Sequence, residues 1–174
     1  MNPSIHPFER FPLGLGCLSS LFQEVLQSFK WLWEPLFFTL FKTESPRWVL
    51  GLDTVVEVDG KVLGKPAGPA EAESMLRLLS GRVHNVFTGI ALLVERGRPI
   101  EQEVVQTEVK FRQLAESELH FYLDSGEWAG AAGGYRIQER GAFFVEWIRG
   151  SYSNVVGLPL EAFYGILVRN EYQF

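Results

Sequence analysis

Residues 54–65, TVVEVDGKVLGK, restrict the fold more than any other stretch of this chain. Two runs rich in β-branched residues flank Asp59-Gly60, and that dipeptide suits a two-residue type I′ turn, whose central positions both need positive φ. A hairpin is therefore expected here. The preceding WVLGLD reads as a short, fully buried strand with Asp53 at its carboxyl end. Such strands need a cover, and PAEAESMLRLLSG supplies one: a helix with Pro69 in its first turn, Gly81 at C′, and Ala72, Met75, Leu76 and Leu79 along one face.

The rest of the chain keeps mixing the two periods. VHNVFTGIALLVERG and IEQEVVQTEVKF read as strands joined through residues 97–99, the second alternating Thr107, Val109 and Phe111 against Glu108 and Lys110. ESELHFYLDSG predicts a helix stopped by Gly126. GAFFVEWIRG reads as a strand, SYSNVVG as a loop, and a last helix begins near Pro159. Towards the amino terminus, Phe22, Val25, Leu26, Phe29, Leu32 and Trp33 recur at helical spacing, predicting an amphipathic helix from about Ser20 to Glu34 that docks on a core. LFFTLF, residues 36–41, fits either a strand or more helix. The fold class expected is α/β, a single domain with a mixed, twisted sheet flanked by helices. It divides into an amino-terminal segment, 1–44, and a core, 45–174.

Composition narrows the function. With 174 residues and 47% of them hydrophobic, the chain can bury one real core. A net charge of −5 argues against nucleic acid and anionic membrane surfaces, which are held by clustered Lys and Arg. The apolar stretch near the amino terminus is broken by Gln23, Glu24, Gln27, Lys30, Glu34 and Pro35, so no membrane span is expected. Cys17 is the only cysteine; an intrachain disulfide and a cysteine zinc site are excluded, and a reducing compartment, the cytoplasm, is the natural setting.

Several chemistries fall away. GKVLGKPAGP is not a GxxxxGK[ST] phosphate loop, and the bare GxG of Gly14 and Gly16 is not a dinucleotide fingerprint. His6, His84 and His120 are too scattered for a helical metal motif, and neither Ser19 nor Ser20 sits in a GxSxG elbow. Asp53 survives as a carboxylate at a strand end, where open α/β sheets bind ligands, although an aspartate there more often caps a turn. Taken alone, Lys65 reads as a solvated lysine, and Gln138 and Asn154 as loop hydrogen-bonders.

Taken together, LGLDTVVEVDGKVLGKP, VFTGIALL, TEVKFRQLAESEL and SGEWAGAAGGYRIQERGAFFVEWIRGSYSNVVGLPL resemble the Maf family of nucleotide pyrophosphatases in order and spacing, from about Trp48 to Leu160. The resemblance implies a Maf/inosine-triphosphatase-like fold and hydrolysis of a nucleoside triphosphate to the monophosphate and pyrophosphate, with a divalent cation, Mg²⁺ or Mn²⁺. It also implies roles: Asp53 matches the general base, Lys65 the lysine of the GKP motif, and Thr54 and Gln138 the positions that go with substrate choice. The pairing of Asp53-Thr54 with Ile137-Gln138 resembles the dTTP/UTP branch; relatives preferring 7-methyl-GTP carry a glutamine after the aspartate and a glutamate in place of the later glutamine. No metal ligands are assigned, and a homodimer stays open.

One departure stands out. The family's Ser-x-Ser-x-Arg-Arg loop, whose arginines hold the triphosphate, has no counterpart in residues 1–44, and Ser45-Pro46-Arg47 stands immediately before the Asp53 strand. Two expectations follow: a pyrophosphatase turning over weakly, with Lys65 and the cation carrying the phosphate charge, or a catalytically impaired relative that binds nucleotides or a partner.

Overall fold

The computed structural model describes residues 48–93 and 101–173. The expected helix at 20–34, the LFFTLF segment and the turn at 97–99 lie outside them. The chain divides into two compact units, Leu52–Ile90 with Glu103–Phe174, and Met1–Gly51 with Ala91–Gln102. In the second unit the described residues belong to strand ends and the adjoining Trp48. The first unit holds the helices, most of each strand and every residue of the cleft described below.

The elements run β1 (Val49–Val58), β2 (Lys61–Leu63), α1 (Pro69–Leu79), β3 (Val83–Leu93), β4 (Glu101–Phe111), α2 (Glu116–Ser125), β5 (Val145–Arg149), α3 (Tyr152–Val156) and α4 (Leu160–Arg169). Five strands form one sheet in the order β2-β1-β3-β4-β5, flanked by helices. The β1–β2 and β4–β5 pairings are antiparallel. Contacts of Glu57 with Asn85 and of Thr54 with Thr88 give β1 and β3 the same antiparallel register. The α/β layering matches the expectation, and its sheet is antiparallel.

The hairpin forms as read. Asp59 and Gly60 both take positive φ, 50° and 79°, and Val58 pairs with Lys61 across the turn. Helix α1 starts at Pro69 and ends before Gly81, which adopts φ 70°; Ala72, Met75, Leu76 and Leu79 are its buried residues. On β4, Thr107, Val109 and Phe111 are all buried, as their alternation predicts. Phe111 meets the rings of His84, Tyr135 and Phe144 edge-on at centroid distances of 4.9, 4.7 and 5.7 Å, so one aromatic knot joins β3, β4 and the segment before β5.

Three local expectations change. Strand β1 does not stop at Asp53 but continues to Val58, leaving the aspartate in mid-strand. The cause is the β-branched run that follows it, Thr54-Val55-Val56, together with pairing on both sides of β1, which outweighs the poor strand propensity of one aspartate. GAFFVEWIRG is a strand only from Val145; Arg140–Phe144 coil into a 3₁₀ turn. There a Cβ on Gly141 would lie 2.5 Å from the Arg136 carbonyl oxygen, so the chain turns too tightly for an extended strand. SYSNVVG contains helix α3, not a loop. Its Ser151 Oγ accepts the Asn154 N–H (3.3 Å), and Gly157 closes it with φ 115°, but five residues are too few to display a period.

Candidate active site

Asp53, Thr54, Lys65 and Gln138, drawn from three separate stretches of the sequence, line one cleft of about 210 Å³. Each stretch arrives by a different route. Asp53 and Thr54 are consecutive on β1, and both border the cleft together with Leu52 and Val56 of the same strand. Lys65 follows the β1–β2 hairpin in a loop pinned where Gly133 N–H donates to the Gly64 carbonyl (3.0 Å). Gln138 comes from the segment 126–140, which winds back over β1 closely enough that a Cβ on Gly133 would meet Val56 Cγ2 at 2.9 Å. Only glycine, also holding φ 68°, fits there.

Val155, Val156 and Gly157 at the end of α3 form another part of the lining. Behind it lies a fully buried polar cluster. Asn154 Nδ2 donates to the Val86 carbonyl (3.1 Å) and to Thr107 Oγ1 (3.0 Å), while the Asn154 backbone carbonyl accepts from Thr88 Oγ1 (3.0 Å) and from Gly157 N–H (3.0 Å). Thr88 Oγ1 in turn lies 2.9 Å from Thr54 Oγ1 at the cleft. Asn154 is thus a buried strut and not the loop hydrogen-bonder that its setting suggested.

The polar groups divide into two kinds. Thr54 is engaged by Thr88, whereas no hydrogen bond or ion pair with a described residue occupies the side chains of Asp53, Lys65 or Gln138. A carboxylate, an ammonium and an amide therefore border the cleft without a partner among the described residues. Arg136 also lines the cleft, and sequence reasoning missed it. Its Nε donates to the Glu127 carbonyl (3.0 Å) and an Nη to the Ala129 carbonyl (2.8 Å), and its backbone N–H donates to the Tyr122 hydroxyl (3.1 Å). Those acceptors are neutral, and among the described residues no carboxylate pairs with the guanidinium. Nothing in GGYRIQERG marks this arginine apart from its neighbours in sequence.

His84 lies beneath, with Nε2 2.9 Å from the hydroxyl of Tyr135, itself a cleft residue. Burial lowers the imidazole pKa to about 4 and pushes the Tyr135 phenol well above its usual range, so both are neutral at physiological pH. As for metals, no three of His, Cys, Asp and Glu converge among the described residues. Asp53, a single carboxylate without a partner among the described residues, would suit a Mg²⁺ ion, which needs only one or two carboxylates and keeps most of its shell as water or ligand oxygens.

Comparison with known proteins bears directly on this arrangement. The family model described as Maf-like protein matches residues 23–170. The chain belongs to the Maf-like protein family. Among its relatives, a protein of Clostridium acetobutylicum named dTTP/UTP pyrophosphatase is 45% identical over 128 residues, 74% of this chain and 64% of that protein. Proteins of the same name from Thermococcus onnurineus and Brucella abortus are 52% identical over 113 residues and 47% over 124, covering 65% and 71% of this chain but 60% and 59% of their own lengths. The chain thus spans roughly three-fifths of the relatives it matches. Among the described residues, no helix is long and apolar enough to cross a membrane.

Proposed function

We propose that the cleft hydrolyses pyrimidine nucleoside triphosphates of the dTTP/UTP class, releasing the nucleoside monophosphate and pyrophosphate. The observation that carries this reading is the convergence on one cleft of Thr54 with Asp53, Lys65 and Gln138, whose side chains have no partner among the described residues. Asp53 accepts a proton from water as the water oxygen bonds to the α-phosphorus, and the bond from that phosphorus to the bridging oxygen of pyrophosphate breaks. Little covalent chemistry is asked of the protein, so positioning and charge do most of the work. Lys65 supplies a compact positive charge to the phosphate chain. Gln138, with one amide donor and one acceptor group, and Thr54 read the base edge.

A divalent cation, held by Asp53 together with the substrate phosphates, supplies charge neutralisation when bound. The relatives' names support the substrate class. A cytoplasmic setting completes the reading, resting on the single cysteine. The test is pyrophosphate release from dTTP, UTP, CTP, ATP and GTP with Mg²⁺ or Mn²⁺. Preference for dTTP and UTP is expected, along with its weakening in Gln138→Glu, which loses the amide donor and gains a charge. Equal rates on purine and pyrimidine triphosphates would defeat the base assignment, and absence of pyrophosphate from every nucleotide would defeat the hydrolase.

A further inference from the structure

The hydroxyl protons of Thr54 and Thr88 can be placed from the heavy atoms alone. Thr88 Oγ1 has two oxygen neighbours, Thr54 Oγ1 at 2.9 Å and the Asn154 carbonyl at 3.0 Å. A hydroxyl owns one proton, and a carbonyl can only accept. If Thr88 donates to Asn154 and Thr54 donates to Thr88, two protons make two bonds in one continuous chain. If Thr88 turns to Thr54 instead, one bond is lost and two buried oxygens face each other 3.0 Å apart with no hydrogen between them. The first arrangement wins, and no water can redirect it, since Thr88 and Asn154 are both fully buried. The Asn154 carbonyl cannot swing away, because its side chain is tied to Val86 and Thr107 and the carbonyl also holds Gly157 N–H.

Thr54 therefore spends its proton inward and turns only lone pairs to the cleft. Access to those lone pairs is kept open by Gly157, whose missing Cβ would sit 3.5 Å from Thr54 Oγ1 and whose φ of 115° disfavours any side chain there. We infer that Thr88 is a positioning residue that fixes Thr54 as a hydrogen-bond acceptor, so that the cleft selects a base presenting a ring N–H at that point, the imide of uracil or thymine, over cytosine. Cytosine carries a lone pair at ring N3 where the imide carries a proton. Placed against an acceptor-only Thr54, it leaves two lone pairs in contact and no bond. Gln138 does not discriminate in this way, because its amide carries both a donor and an acceptor and adapts by rotation.

This inference rests on the pyrimidine triphosphatase reading above. Thr88→Val keeps the shape, removes the hydroxyl that receives the Thr54 proton, and frees that proton to turn towards the cleft. Thr88→Ser keeps the chain. Specificity constants for UTP, CTP and N3-methyl-UTP are to be measured for the unmodified protein and both variants, with melting temperatures as a control on folding. The unmodified protein and Thr88→Ser should favour UTP, while Thr88→Val should narrow the UTP-to-CTP ratio by about 10-fold, chiefly through KM. A ratio unmoved in folded Thr88→Val overturns the inference and leaves the hydrolase reading intact. Should Thr88→Val not fold, the methylated substrate decides on the unmodified protein: N3-methyl-UTP turning over as well as UTP overturns the inference, and its rejection supports it. Pyrophosphate release from no nucleotide overturns both readings.

Discussion

His84 Nε2 and the Tyr135 hydroxyl lie 2.9 Å apart beneath the cleft, with His84 1% and Tyr135 6% exposed. The pair locks β3 to the segment that carries Gln138, and its ionisation makes the fold sensitive to acid. Burial lowers the His84 pKa from 6.5 to about 4, so the folded protein resists a proton that the unfolded chain accepts. A depressed pKa contributes stability that is fully present above pH 6.5 and is lost as pH falls towards 4. Below that value the folded form is protonated as well, and the loss levels off. The interval corresponds to roughly 3 kcal/mol. Urea unfolding at about pH 7.5 and about pH 4.5 should show a loss of that order, much reduced in His84→Gln. An equal loss in the variant would place the acid sensitivity elsewhere.

Asp53 offers the sharpest test of the chemistry. Asp53→Asn is nearly isosteric, and the aspartate side chain makes no bond to a described residue that the change would break. The melting temperature should hold, and turnover should fall about 10²- to 10⁴-fold as the proton acceptor is lost. Mg²⁺ titration of the same variant separates proton transfer from cation holding. Turnover near that of the unmodified protein would remove Asp53 from the reaction.

Why part of this was readable from sequence and part was not comes down to the range of the signals involved. Asp59-Gly60, Pro69, Gly81 and Gly126 announce their turns and caps because the conformations they favour are set by local sterics. The alternation of Thr107, Val109 and Phe111 is equally local. Asp53, Thr54, Lys65 and Gln138 were legible as candidates through their family motifs, but their shared cleft depends on the packing of the 126–140 segment over β1. Arg136, Thr88 and Asn154 gave no usable signal, because what matters about each is a bond to a residue distant in the chain or a carbonyl that every residue has. The extension of β1 past Asp53 escaped for the same reason, since strand pairing outvoted a local stop.

Gly133 tests that packing. Its φ of 68° and the 2.9 Å approach of its virtual Cβ to Val56 Cγ2 make two separate objections to any side chain. Gly133→Ala should cost about 2 kcal/mol, a left-handed backbone penalty plus overpacking. Because the segment carries Gln138, kcat/KM should fall as well. Thermal unfolding with parallel kinetics checks both. Unchanged stability would mean that the segment lifts away from β1 at little cost.

Arg136 and Lys65 supply the positive charge of the cleft, and they are held differently. Lys65 sits on a four-carbon stem in an exposed loop, whereas the Arg136 guanidinium is clamped by the Glu127 and Ala129 carbonyls just beyond the end of α2. A clamped cation loses less freedom on meeting a phosphate, so it should contribute at least as much binding as the lysine. A charge-assisted contact is worth ~1.5–3 kcal/mol, which sets an expected rise in the Kd for inorganic triphosphate of about 10- to 100-fold in Lys65→Met and again in Arg136→Met. Arg136→Lys separates the two duties of the arginine: it keeps the charge but loses the fork that spans both carbonyls. Its Kd should fall between those of the unmodified protein and Arg136→Met, with most of the loss in melting temperature already present. Calorimetric titration of each variant with triphosphate, beside its thermal unfolding, decides the matter. If Arg136→Met lowers the melting temperature and leaves triphosphate binding untouched, the arginine is a staple for the 126–140 segment, and Lys65 is left as the cleft's phosphate-binding cation.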